Sequence, residues 1–210
     1  MILPQTFYAQ ETVSVAKQLL GCYLVHLEGE ETTLGRIVET EAYLANDPAS
    51  HSFIGKTPRN SVMFGPVGHA YVYFIYGMHY CVNVVTGQAG SGEAVLIRAL
   101  EPLQGIAVMQ QRRRTQKPQL LCSGPARLAE AFAITRAFNG LPLFEGPLQI
   151  WSADSLVSAP VIGEDDIVQT TRIGIGKAKE LLLRFYLKGN RFIKSAREDP
   201  PRSRGRDETL

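Results

Sequence analysis

Two carboxylates stand two residues apart in Val38-Glu39-Thr40-Glu41-Ala42-Tyr43, a run whose branched and aromatic residues predict a β-strand. Side chains alternate across a strand, so Glu39, Glu41 and Tyr43 share one face. Like charges this close repel, and a solvated face is the simplest accommodation. The chemical alternative makes one carboxylate a general base, set beside an aromatic wall and a polar partner. At roughly 7 Å between their Cα atoms, the pair also suits the two-carboxylate arrangement of carbohydrate glycosidases.

Aromatic residues supply the next candidates. Tyr71 and Tyr73 fall on one face of a predicted strand, with Val72, Phe74 and Tyr76 on the other. Core packing accounts for Tyr71 and Phe74. Tyr76 precedes Gly77-Met78 at the predicted turn, where an aromatic is hard to bury; Tyr76 and Met78 form an apolar tip beside a basic loop, the chemistry of a wedge pushed between stacked bases. A non-catalytic module that stacks aromatics on nucleic-acid bases reads the same way. His26 and His69 have no evident partner and read as structural, whereas His51 sits in a loop with Lys56, Thr57, Arg59 and Asn60. No spacing of His, Cys and carboxylates supports a metal site. Gly174-Ile175-Gly176-Lys177 resembles part of a phosphate loop without its full spacing, so its glycines read as permitting close backbone approach.

The elements that must position these residues follow from periodicity and turn chemistry. Residues 11–20 predict a helix closed by Gly21. Cys22 to Leu27 and Thr33 to Tyr43 predict a hairpin around Glu28 to Thr32, and 44–69, with Pro48, Pro58 and Pro66, predicts a long functional loop. Ala70 to Tyr76 and His79 to Val85 predict a second hairpin. Ala94 to Leu100 predicts a strand closed by Pro102, then Leu103 to Arg114 a helix with a basic C-terminal end. Ser123 reads as the cap of a helix running to about Ala133, with Pro125 in its first turn. Leu148 to Trp151, Val168 to Ile175 and Leu183 to Leu187 predict strands, and the chain after Pro200 a flexible basic tail over 200–210. The expected fold is α+β, a single domain over 1–210 with a mixed, mostly antiparallel sheet, peripheral helices and a protruding hairpin.

Composition narrows the class. The chain has 210 residues, 45% hydrophobic and 20% charged, which excludes disorder and suits one soluble domain. No apolar stretch approaches the roughly 18 residues of a membrane span, and the start MILPQTFYAQ lacks the basic and apolar regions of an export signal. Three cysteines without close spacing predict neither a disulfide framework nor a thiolate zinc site, and suit a reducing compartment. The net charge of +2 hides a segregation: 1–50 carry −5, 51–127 carry +6, 128–170 carry −5 and 171–210 carry +6. Two basic blocks meeting in space would suit a phosphate backbone.

Taken in order, RIVETEAYL (36–44), HS with TPRN (51–60), MFGPVGHAYVYFIYGMHYCVNVV (63–85), VLIRALEPL (95–103), LCSGPARL (121–128) and RIGIG with LRFYLKG (172–189) resemble the alkyladenine (3-methyladenine) DNA glycosylase family. The resemblance implies flipping of a damaged nucleotide out of duplex DNA and hydrolysis of its N-glycosidic bond. By position it makes Glu41 the general base, Arg98 the arginine that helps hold the attacking water, and the Ile173 carbonyl a further acceptor for it. It places Tyr43, His51 and Tyr73 around the flipped base, Asn83 where guanine's exocyclic amino group is disfavoured, and Tyr76, with Met78, in the duplex. Thr57, Arg59, Gly174, Gly176 and Lys177 are candidates for the DNA backbone. The implied enzyme is monofunctional and acts on double-stranded DNA with damaged purines; no cofactor or metal is expected, the protein is expected to be a monomer, and the short N-terminus without a basic targeting segment suits a bacterial cytoplasm, with a nucleus the expectation if the source is eukaryotic. His79 and Glu164-Asp165-Asp166 acquire no role from it.

Overall fold

The computed structural model describes residues 1–75, 77–156 and 161–193; Tyr76 and the 200–210 tail lie outside them. Its frame is an antiparallel sheet. β1 (Tyr23–Glu28) and β2 (Glu31–Tyr43) form the expected hairpin, paired from Tyr23 with Arg36 to Glu28 with Glu31. β3 (Ala70–Ile75) and β4 (His79–Thr86) form the second, pairing Tyr71 with Asn83 and Tyr73 with Cys81. With β5 (Glu93–Gln104) and β6 (Leu148–Trp151) the order is β3-β4-β5-β2-β1-β6, and β7 (Ile167–Thr170) joins through β8 (Arg184–Leu187), which pairs with β2. β2 is the spine: β5 runs along it, and β8 takes its other edge at Glu39 to Glu41.

Packing explains why β2 reads as it does. Ile37, Val38 and Ala42 are fully buried with Ile97, Leu100, Phe132 and Phe185, and burying one such branched or aromatic side chain contributes about 1.5–3 kcal/mol. Gly35 is where β2 meets its neighbours most closely: a Cβ there would lie 3.1 Å from Leu100 Cβ and 3.2 Å from the Phe132 ring. α1 (Thr12–Gln18) seats on the spine through Thr40 Oγ1, which donates to the Ala16 carbonyl at 2.8 Å. α2 (Ile106–Arg113) and α3 (Pro125–Ala131) complete the α+β architecture. Among the described residues no helix is long and apolar enough to cross a membrane.

Several expectations are corrected. β5 passes through Pro102 to Gln104 instead of ending before it, and α2 begins only at Ile106. Pro102 faces Gly35 beside a register shift of β2, and β4 pairs with β5 only as far as Leu96, so the missing N–H costs no ladder bond on that side. Gly124, not Ser123, precedes α3; the Ser123 hydroxyl instead accepts from Arg127 Nη1 at 2.9 Å. The predicted strand 168–175 ends at Thr170 because Arg172 and Ile173 turn into the site described below. Phe74 is 43% exposed rather than core, its ring 5.0 Å from that of Tyr80. The second hairpin ends in Gly77, at φ +69, and Met78, 70% exposed.

Candidate active site

Glu41 is wholly buried and Glu39 is 2% exposed, which rules out a solvated strand face. Buried carboxylates persist as anions only with close partners, and here the partners come from β2 itself and from three other segments. Tyr43, two residues along β2, donates its phenol to Glu41 Oε2 at 2.9 Å. The Ile173 amide donates to Oε1 at 3.0 Å. Arg98, on β5, reaches both acids, with Nε 3.2 Å from Glu39 Oε1 and Nη1 3.5 Å from Glu41 Oε1. Arg184 of β8 donates its Nε to the same Glu39 oxygen at 2.5 Å. Two carboxylates and two guanidiniums thus make a balanced cluster under the sheet surface. Desolvation raises the Glu39 pKa above the usual carboxylate range; Arg98 and Arg184 oppose the rise and Glu41 adds to it.

Above Glu41 opens a cavity of about 740 Å³, within the size range of small-molecule sites. Its walls include Tyr43, His51, Tyr71, Tyr73, Asn83 and the Ile173–Lys177 run. Adjacent positions on the β3–β4 hairpin bring Tyr71, Tyr73 and Asn83 to one place. The His51 and Tyr73 ring centroids lie 4.6 Å apart at 75°, and His51 Nδ1 is 2.9 Å from the Tyr71 hydroxyl. Burial, with the nearby Arg59 charge, lowers the His51 pKa, favouring a neutral ring. Burial pushes the Tyr71 phenol up to about 12 and raises Tyr43 and Tyr73 as well, so these hydroxyls keep their protons. Asn83 is buried and donates from Nδ2 to the Tyr71 carbonyl at 3.1 Å.

The long loop owes its shape to buried polar anchors. Asn60 donates from Nδ2 to the carbonyls of His51 (2.8 Å) and Gly55 (2.9 Å) and accepts from the Thr57 amide. Asp47 accepts from both terminal nitrogens of the Arg172 guanidinium, Nη1 and Nη2, both side chains being almost wholly buried. Arg172 also donates to the Ala42 carbonyl at 3.1 Å and lies 4.7 Å from the centre of the Tyr43 ring. One guanidinium thereby joins the 44–50 loop, the end of β2 and the segment carrying Ile173.

Of the residues predicted from sequence, Glu41, Arg98, Ile173, Tyr43, His51, Tyr73, Asn83, Gly174, Gly176 and Lys177 line this one cavity. It is the N–H of Ile173 that bonds Glu41, whereas the expectation concerned its carbonyl. Met78 does not line the cavity; it is at the hairpin tip. Arg59 donates to the Phe74 carbonyl at 3.4 Å, so the 51–60 loop lies along that hairpin. His26 and His69 bond the carbonyls of Phe132 and Val67 and are structural. Glu164–Asp166 form a short turn in which Asp166 accepts from the Gly163 amide. Sequence reasoning missed Asp47, Arg172, Arg184 and the hydroxyl role of Tyr71, taken as core. Arg172 is the first residue of RIGIG, a signal that could have drawn attention to it; the Asp47 partner, 125 residues away, had none.

The match to known proteins is extensive. The model of the methylpurine-DNA glycosylase family matches residues 6–191. A protein of Methanoculleus marisnigri is 60% identical over 193 residues, covering 92% of this chain and 98% of its own. One of Carboxydothermus hydrogenoformans is 52% identical with the same coverage, and one of Rhodopseudomonas palustris 48% identical over 91% of this chain and 90% of its own. Each carries the name "Putative 3-methyladenine DNA glycosylase". With nearly its whole length matched, and with a buried carboxylate under an aromatic cavity, the chain belongs to the methylpurine-DNA glycosylase family.

Proposed function

We propose that this protein excises alkylated purines, 3-methyladenine and 7-methylguanine among them, from duplex DNA by hydrolysis with a Glu41-activated water. The observation that carries the reading is the buried Glu41 carboxylate, held by Tyr43, Ile173 and Arg98 at the base of a cavity walled by Tyr43, His51 and Tyr73. An alkylated purine is cationic and electron-poor, so it stacks favourably against tyrosine faces and is already a good leaving group. Damage also weakens its pairing and stacking, which lowers the cost of extrusion.

In the reaction the water oxygen bonds to C1′, the N-glycosidic bond breaks with its electron pair going to the base, and the water proton passes to Glu41. A cationic base leaves neutral, and an abasic site remains. Each Glu41 oxygen accepts one hydrogen bond from the protein and keeps a lone pair for the water. Arg98 and the Ile173 carbonyl help hold that water, and the carboxylate offsets the oxocarbenium charge on the sugar. With Nδ1 of His51 accepting from the Tyr71 phenol, its Nε2–H is left to donate to the base edge. Asn83 crowds guanine's exocyclic amino group. Tyr76 and Met78 fill the space the nucleotide leaves, while Thr57, Arg59, Gly174, Gly176 and Lys177 meet phosphates, so binding weakens with salt. No lysine is assigned as a nucleophile, and the enzyme is monofunctional.

The test is a glycosylase assay on duplex oligonucleotides carrying 3-methyladenine, 7-methylguanine, hypoxanthine or ethenoadenine, comparing wild type with Glu41→Gln. Release of free alkylated base by wild type, and a loss of about 10²–10⁴-fold in the variant, is expected. Full activity in Glu41→Gln sinks the mechanism, and cleavage of sugar polymers but not DNA favours a carbohydrate glycosidase.

A further inference from the structure

The proposed reaction uses Glu41 and leaves Glu39 without a task, although Glu39 is nearly as deeply buried and pairs with two guanidiniums, Arg98 and Arg184. From the geometry we infer that Glu39 is a positioning residue: it holds the Arg98 guanidinium off Glu41, so that the carboxylate stays free to take a proton from water. The inference rests on Glu41 being the base.

Charge-assisted pairs between a guanidinium and a carboxylate close to about 2.7–2.9 Å, commonly through two parallel bonds. Arg98 does not do this with Glu41. Its Nη1 stands 3.5 Å from Glu41 Oε1, while its Nε is tethered at 3.2 Å to Glu39 Oε1. That Glu39 oxygen is fixed in turn from β8 by Arg184, whose guanidinium lies 5.0 Å from the Tyr186 ring. The chain of charges therefore runs Arg184, Glu39, Arg98, Glu41, alternating in sign from the β8 edge to the cavity. Remove the carboxylate of Glu39, and Glu41 is the carboxylate still within reach of Arg98 among the described residues. Arg98 then closes on Glu41 as a fork and covers the lone pairs left beside the Tyr43 and Ile173 bonds, the ones a water needs.

Local structure keeps the two acids from exchanging roles. Register shifts of β2 against β5 flank Glu39, and the pairing of Glu39 with Tyr186 and of Glu41 with Arg184 fixes their spacing along β8. Glu41 lines the cavity and Glu39 does not.

The test is single-turnover release of 3-methyladenine, with the affinity for duplex carrying an abasic-site analogue measured alongside. In Glu39→Gln the rate constant is expected to fall about 10–100-fold, the scale of misplacing a reacting group by about 1 Å, with analogue affinity within about threefold of wild type. Glu39→Asp, which keeps the charge, should recover part of the loss. A rate within about threefold of wild type, or a loss of affinity matching the loss of rate, overturns the inference. Since Glu39→Gln leaves two buried guanidiniums with one fewer anion, the charge-balanced Glu39→Gln/Arg98→Gln variant is measured against Arg98→Gln. Acting through Arg98, Glu39 should add less than about threefold there, and a further tenfold loss overturns the inference. A wild-type rate in Glu41→Gln overturns the reading of Glu41 and this inference together; the Glu39 outcomes overturn the inference alone.

Discussion

Tyr43→Phe separates two contributions that one side chain makes. The ring forms a wall of the cavity, and the hydroxyl donates to Glu41 Oε2 at 2.9 Å. Phenylalanine keeps the wall and deletes the donor. A hydrogen bond to a charged group contributes about 1.5–3 kcal/mol. Glu41 retains the Ile173 amide and Arg98, so the lower end applies, and about 1.4 kcal/mol corresponds to a tenfold change in rate. The expected result is a roughly tenfold slower single-turnover release of 3-methyladenine, with binding of lesion duplex within about twofold of wild type. Tyr43→Ser removes the ring as well, and at about 1–3 kcal/mol per stacked base its binding should weaken about 10-fold or more. Melting followed by circular dichroism serves as control, since the loss of one hydrogen bond lowers the midpoint by only about 2–4 °C per kcal/mol at this chain length. An unchanged rate in Tyr43→Phe, or rate and binding falling together, refutes the division of labour.

Asp47→Asn leaves Arg172 buried with the Ala42 carbonyl and the Tyr43 ring but without its hydrogen-bonded counter-charge, Glu41 remaining as a more distant anion; breaking a buried pair costs about 3–5 kcal/mol, so the melting midpoint should drop by roughly 6–20 °C. A drop of under about 2 °C contradicts the anchoring role. The lowered pKa of His51 gives a signed pH dependence: its stabilising contribution is complete above the unfolded imidazole value and fades as pH falls from there through the folded one. Wild type should therefore lose more thermal stability than His51→Gln between pH 7.5 and pH 5, and parallel melting curves across that range contradict it.

The strand residues of the site were legible because one short run carries both periodicity and chemistry. Glu39, Glu41 and Tyr43 alternate as a strand requires, and Tyr71 and Tyr73 do the same. The partners were not legible. Asp47 with Arg172 and Glu39 with Arg184 are brought together by long-range antiparallel pairing and loop return, and no local pattern announces which of 22 Lys and Arg residues is buried. Pro102 misled because a proline ends a strand only where its N–H is needed, and β5 lacks a β4 neighbour there. Ser123 misled because a serine before Gly-Pro is as able to accept from a side chain as to cap. The 168–175 run has strand composition, yet its second half is recruited by Asp47 and Glu41, which compete successfully with the ladder.

Glu41 is hydrogen-bonded into the sheet on both edges, opposite Leu96 and Arg184, whereas His51 and the 172–177 segment ride on connecting chain. Regions of these two kinds open with different free energies: paired central strands exchange their amides only near global unfolding, and loops exchange far sooner. On the proposed reading, the proton acceptor and the Tyr43, Tyr73 and Asn83 walls therefore belong to paired strands, and His51 with the 172–177 segment to the connecting chain that opens first. Under mild denaturant, the contacts proposed for His51 and the 172–177 segment should be lost while Glu41 and the strand-borne walls stay in register.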